Sequence, residues 1–173
     1  MTTRTNRGFT LIEVLVSIIL AAILAIGVGM GVARLVEGHL FVKTNAAALQ
    51  KGQMAATRIA LELKNTTAIL PASNETSVVF NSFKDKVEKT RILRLNGGNV
   101  ELSEGDGNFF VLTDQVAPGD GLRFQYYVNY EDPEEGQSAP ASARILSVRL
   151  RLIAADGVVK TFTQRIVPRN IQP

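Results

Sequence analysis

From residue 11 to residue 33 nearly every side chain is apolar or small, and nothing else in the 173-residue chain reads this way. A bilayer core of about 30 Å takes about 20 helical residues at a rise of about 1.5 Å each. Residues 14–33 supply that length without a formal charge. The remainder has ordinary soluble composition and is long enough for one modest domain with a core of its own. The expectation is one membrane-capable anchor followed by one domain.

The segment ahead of the run, residues 1–8, is short, polar and basic, and it ends at Gly8. A secretory signal has its cleavage site after the apolar stretch. Here the small residue suited to cleavage stands before it, so a cut between Gly8 and Phe9 leaves the apolar helix on the mature chain. Arg4 and Arg7 precede the run and Arg34 follows it, a modest bias toward a cytoplasmic N-terminus with the domain across the membrane. Losing Arg4 and Arg7 takes the formal net charge from +3 to +1, which gives little support for general polyanion binding. The absence of cysteine excludes disulfides and thiolate chemistry, and the lone histidine, His39, falls where the chain would leave the membrane.

Glu13 breaks the apolar pattern. An ionisable group near the bilayer centre costs about 2.5–3.5 kcal/mol on insertion scales and is normally retained for a partner. At headgroup depth the same carboxylate is simply solvated, and position alone leaves both readings open.

Residues Arg7-Gly8-Phe9-Thr10-Leu11-Ile12-Glu13-Val14-Leu15 closely resemble the signature of type IV prepilins and type II secretion pseudopilins. The resemblance implies that a membrane prepilin peptidase cuts after Gly8 and methylates the new amine of Phe9. It also implies that Glu13 pairs with the N-terminal amine of a neighbouring subunit in a filament. The chemistry agrees, because a buried carboxylate and a buried ammonium make every unpaired register unfavourable. Gly27, Gly29 and Gly31 read either as tolerated membrane-helix glycines or as points of close approach and softening.

Beyond Arg34 the helical pattern continues with Val42, Leu49, Ala56 and Leu63 every seven residues and Ala46, Ile59 and Ala60 beside them. Lys43, Asn45, Lys51, Gln53, Arg58, Glu62 and Lys64 occupy the opposite, wet side. With no proline before Pro71, a continuous helix over residues 9–65 would be about 85 Å long. From Ser77 the period becomes two, predicting strands at 77–83, 90–95, 99–102, 109–112, 122–130, 145–153 and 158–167. The organisation is a leader at 1–8, an anchor helix at 9–33, an amphipathic helix and linker at 34–70, and a β-rich domain at 71–173. The expected fold class is α+β, and the resemblance implies a pilin-like fold: a long N-terminal helix, membrane-spanning in its first half, packed on a C-terminal antiparallel β-sheet domain. An acidic stretch at 131–137 reads as an exposed loop.

In the last hairpin, a three-residue loop at Ala155-Asp156-Gly157 sets Phe162 opposite Leu150 and Ile166 opposite Leu146, which keeps apolar faces together; a two-residue loop mixes them. This register leaves Arg149, Arg151 and Arg165 on the outer face. Such a stripe would suit DNA or an acidic partner, although alternating charge is the ordinary content of a wet sheet face. Lys84, Lys86, Lys89 and Arg91 read as a solvated turn and strand edge, and Tyr126, Tyr127 and Tyr130 as packing and rim residues.

No phosphate loop, zinc spacing, nucleophile elbow or histidine acid/base pair is present. Glu101, Glu104, Asp106 and Asp114 do not meet calcium-loop spacing. No catalytic residue, metal or cofactor is expected, and the chain reads as a structural protein and not as an enzyme. The C-terminal half looks, more loosely, like minor pilins and minor pseudopilins, through Leu112 to Val116, Leu122 to Tyr126 and the last two strands. The expected partners are the prepilin peptidase, sister subunits, an inner-membrane assembly platform and membrane lipid. The competing reading is a bitopic protein whose outer domain binds DNA, a surface or a secreted substrate.

Overall fold

The computed structural model describes residues 9–84, 86–129 and 139–171. Gly8, Tyr130 and the acidic stretch 131–137 lie outside the described residues. Two compact units are present, Met1–Lys43 and Thr44–Pro173, and one helix, α1 (Leu11–Lys64), contributes to both.

Thr10 starts the helix. Its carbonyl accepts from the backbone N–H groups of Glu13 at 3.1 Å and Val14 at 3.2 Å, while its Oγ1 accepts from Glu13 N at 3.4 Å. A threonine followed three residues later by glutamate is the pattern of a capping box. No proline interrupts the helix before its end at Lys64, where the carbonyl of Lys64 accepts from the N–H of Arg169 at 3.0 Å. In the first unit every described side chain is exposed, including the apolar ones.

The second unit holds the core. Strands β1 (Thr66–Ile69), β2 (Ser77–Lys84), β3 (Val87–Asn96), β4 (Asn99–Ser103) and β5 (Phe109–Thr113) form one antiparallel sheet in that order. Strands β6 (Leu122–Tyr127), β7 (Ile145–Ile153) and β8 (Val159–Ile166) form a second. The α+β arrangement of a long helix followed by an antiparallel β domain is as expected; the sequence pattern places no strand at 66–69, and the structure adds β1 there. Two features join the sheets. The β5–β6 connection runs from Val116, whose N–H bonds Gly98 O, to Ala117, whose N–H bonds Arg151 O. From the other side, Phe124 N–H of β6 donates to Glu75 O in the β1–β2 loop at 2.7 Å. One apolar cluster lies within this unit, built from Ile59 and Leu63 of the helix, Val78, Phe80, Leu93 and Val100 of the first sheet, and Leu122, Phe124, Leu146, Leu150 and Leu152 of the second.

The buried face of the helix in this unit is Ala48, Gly52, Ala55, Ala56, Ile59, Glu62 and Leu63. Leu49 and Ala46, expected on the inner stripe, are exposed. A straight helix drifts by about 20° per heptad against a seven-residue repeat, so a strict heptad rotates off the contact line. The small residues let the sheet come close: a methyl group at Gly52 would overlap the Phe162 ring of β8 and touch Leu152 of β7.

Two charged residues expected on wet surfaces are buried. Arg91 is 5% and Glu62 9% exposed, and they form an ion pair, with Glu62 also held by Arg58 at 2.6 Å and Arg91 by Glu104 at 3.1 Å. Arg91 sits opposite Phe80, on the core face of the sheet. The alternation that puts it there also puts Leu93 there, two residues on.

Candidate functional site

The candidate site is the start of the helix. Phe9 is 81% and Leu11 87% exposed. Glu13 occupies the first turn, where a carboxylate is favoured by the positive end of the helix dipole. Its backbone is fixed twice, by the Thr10 cap on its N–H and by Ser17 Oγ, which donates to Glu13 O at 2.7 Å. Both neighbours bond to the backbone of Glu13. Thr10 and Ser17 were not singled out from sequence, although the Thr-x-x-Glu spacing ahead of an apolar run is a legible start signal.

Along the anchor, an added Cβ at Gly27, Gly29 or Gly31 would meet nothing within 4 Å. Among the described residues, no contact requires glycine there, in contrast to Gly52. His39 is exposed on the helix.

The outer face of β7 and β8 follows the expected register, with Leu150 opposite Phe162, Leu146 opposite Ile166, and a loop at Ala155–Gly157. Arg149, Arg151 and Arg165 therefore share one face, but they are engaged within the chain. Arg151 is bonded to Asp120, Arg149 lies 3.9 Å from the same carboxylate, and Arg165 stacks over the Tyr127 ring at 5.2 Å. The hydrogen bond from Arg151 holds Asp120 below the usual carboxylate range. Asp120 lies 29 positions before Arg149, in the β5–β6 connection, so no local spacing signals the neutralisation.

Tyr126 and Tyr127 are buried. Tyr126 OH donates to Asn74 O at 2.8 Å, and burial pushes its phenol well above the ordinary range. The four acidic residues weighed for calcium are dispersed: Glu101 pairs with Arg94, Glu104 with Arg91 and Asp114 with Lys51, while Asp106 bonds to Asn108.

Among known families, the model for the prokaryotic N-terminal methylation motif matches residues 3–29. Neither a curated protein nor a solved structure is significantly similar to the chain. The match takes in Gly8, Phe9, Thr10 and Glu13 together with most of the apolar run. The chain thus carries the type IV prepilin-like signal, followed by a long apolar helix and antiparallel sheets.

Proposed function

We propose that this protein is a minor subunit of a type IV pilus or type II secretion pseudopilus, acting in filament initiation and assembly. The prepilin peptidase cuts between Gly8 and Phe9 and methylates the Phe9 amine. The anchor crosses the inner membrane once, with its N-terminus cytoplasmic and its β-rich domain outside. An assembly platform in that membrane then passes the subunit into the filament, where Glu13 pairs with the amine of a neighbour. The protein is structural, and the only covalent chemistry is done to it.

The observation that carries this reading is the position of the methylation motif, with its glycine before the apolar helix and its glutamate inside the first helical turn. The unburied apolar side chains of residues 11–33 support it, since they need lipid or sister helices. The tethered binding module is less well supported, because Arg149 and Arg151 are already engaged by Asp120.

Intact mass with N-terminal fragmentation, on protein from its own membranes, tests the proposal. A chain beginning at N-methylated Phe9 is expected. An unprocessed N-terminus in cells with an active prepilin peptidase would overturn the filament reading in favour of the tether.

A further inference from the structure

The β3–β4 turn holds the one asparagine of the chain that is followed by glycine, Asn96-Gly97. A two-residue hairpin loop of this kind needs positive φ at both positions, and Gly97 (φ 55°) and Gly98 (φ 84°) supply it between the paired residues Asn96 and Asn99. The same choice leaves a backbone nitrogen without cover beside a side-chain amide. Asn96 and Gly97 are both exposed, and a Cβ at Gly97 would meet nothing within 4 Å. Among the described residues the N–H of Gly97 makes no backbone hydrogen bond, and glycine has no side chain of its own to screen it.

Other asparagines of the domain are held differently. Asn74 Oδ1 accepts from the N–H and hydroxyl of Thr76 and from the N–H of Ser77, which ties the side chain to its own turn. Asn81 Oδ1 accepts from the Thr90 hydroxyl, and Asn108 Nδ2 donates to Asp106. Each of these is followed by a residue with a side chain. In Asn96 the bonded atom is Nδ2, which donates to Glu101 Oε1 at 3.1 Å.

We propose that Asn96 is a site of covalent modification, converting to aspartate and isoaspartate through a ring closed by Gly97, and that the conversion loosens the junction between the two sheets. The Gly97 nitrogen, having lost its proton to solvent hydroxide, attacks Cγ of Asn96. A C–N bond forms and closes a succinimide, the Cγ–Nδ2 bond breaks, and Nδ2 takes a proton from water and leaves as ammonia. The attack is intramolecular, so water is the only co-reactant. Water then opens the ring at either carbonyl, giving aspartate or, with the backbone rerouted through Cβ and Cγ, isoaspartate. The sum is one water consumed and one ammonia released, with no change of oxidation state. Two contacts transmit the change. The new carboxylate faces Glu101 where an amide donor stood, and neighbouring carboxylates disfavour each other's charge. Glu101 is also the acceptor for Arg94, which stacks 3.6 Å over the Phe109 ring of β5. In isoaspartate the backbone gains one carbon just before the turn, and the turn holds Gly98, whose carbonyl accepts from Val116 N–H at 3.0 Å.

Peptide mapping of the full chain, incubated in detergent micelles at mildly alkaline pH and fragmented to locate each change, tests the site. Asn96 should show the mass gain of amide to acid, in two chromatographic isomers, before Asn74, Asn81 or Asn108 changes. Asn96→Gln, which keeps the amide but disfavours the ring, should abolish the conversion. Amide exchange at Val116 should be about tenfold faster in the isoaspartyl form than in fresh chain, while β7 and β8 amides keep their protection. An unchanged Asn96, earlier conversion at another asparagine, a single product isomer, or conversion undiminished in Asn96→Gln would overturn the site. Unchanged exchange at Val116 in the converted chain would overturn its effect on the junction.

Discussion

At the scale of single residues, the cost of a charge depends on where the backbone delivers it. Glu62 looks like a surface residue, yet it is held between Arg58 and Arg91 with only 9% of its surface exposed. Removing Glu62 leaves the buried Arg91 with Glu104 alone, so the cost should fall below the about 3–5 kcal/mol of a fully uncompensated charge. Glu62→Ala should lower unfolding stability by about 1–3 kcal/mol in a denaturant titration, whereas Lys89→Ala, on the exposed part of β3, should change little. Equal effects would show that the cluster is not structurally important. Asp120 presents the opposite case, a half-buried carboxylate whose folded pKa is depressed by its hydrogen bond from Arg151. Its stabilising contribution is fully present above the unfolded value of about 3.9 and is lost as pH falls through the folded value. Melting temperatures measured from about pH 5 down to about pH 2 should fall less steeply for Asp120→Asn than for wild type; parallel curves would contradict the assignment.

At the scale of elements, the helix and the last hairpin were legible because each is governed by a local rule. An apolar run without proline continues as helix, and the requirement that Leu150 meet Phe162 fixes a hairpin register. What sequence did not disclose is decided at a distance. Leu49 is exposed and Gly52 buried because the sheet meets the helix along a line set by β7 and β8. Arg91 is buried because Glu62, 29 residues earlier, awaits it. The start of the anchor was legible through its motif, while the neutralisation of Arg149 and Arg151 by Asp120 depended on how the β5–β6 connection folds back. The helix contact yields a direct prediction. Gly52→Ala gains helix propensity of about 1 kcal/mol but forces a methyl into the Phe162 ring, and overpacking costs about 1–3 kcal/mol. Net destabilisation is expected in thermal melts, with recovery in the Gly52→Ala, Phe162→Leu double variant; a stabilised single variant would show that the ring yields freely.

At the scale of the whole molecule, the prepilin-like signal favours the helix as a surface that meets other subunits. Glu13→Ala should leave membrane insertion and domain folding intact while reducing recovery in sheared filaments at least about tenfold, the equivalent of about 1.4 kcal/mol. Undiminished recovery beside wild type would remove Glu13 from assembly. The hydrogen bond from Arg169 to the last helical carbonyl, at Lys64, bears on biosynthesis. The peptide unit that caps the end of the helix is made more than a hundred residues after it. Until that unit leaves the ribosome, the carbonyl has water as its partner. The latch on the end of the helix therefore forms only once residue 169 has been made, and a chain released before that point would carry its helix whole and its domain unlatched.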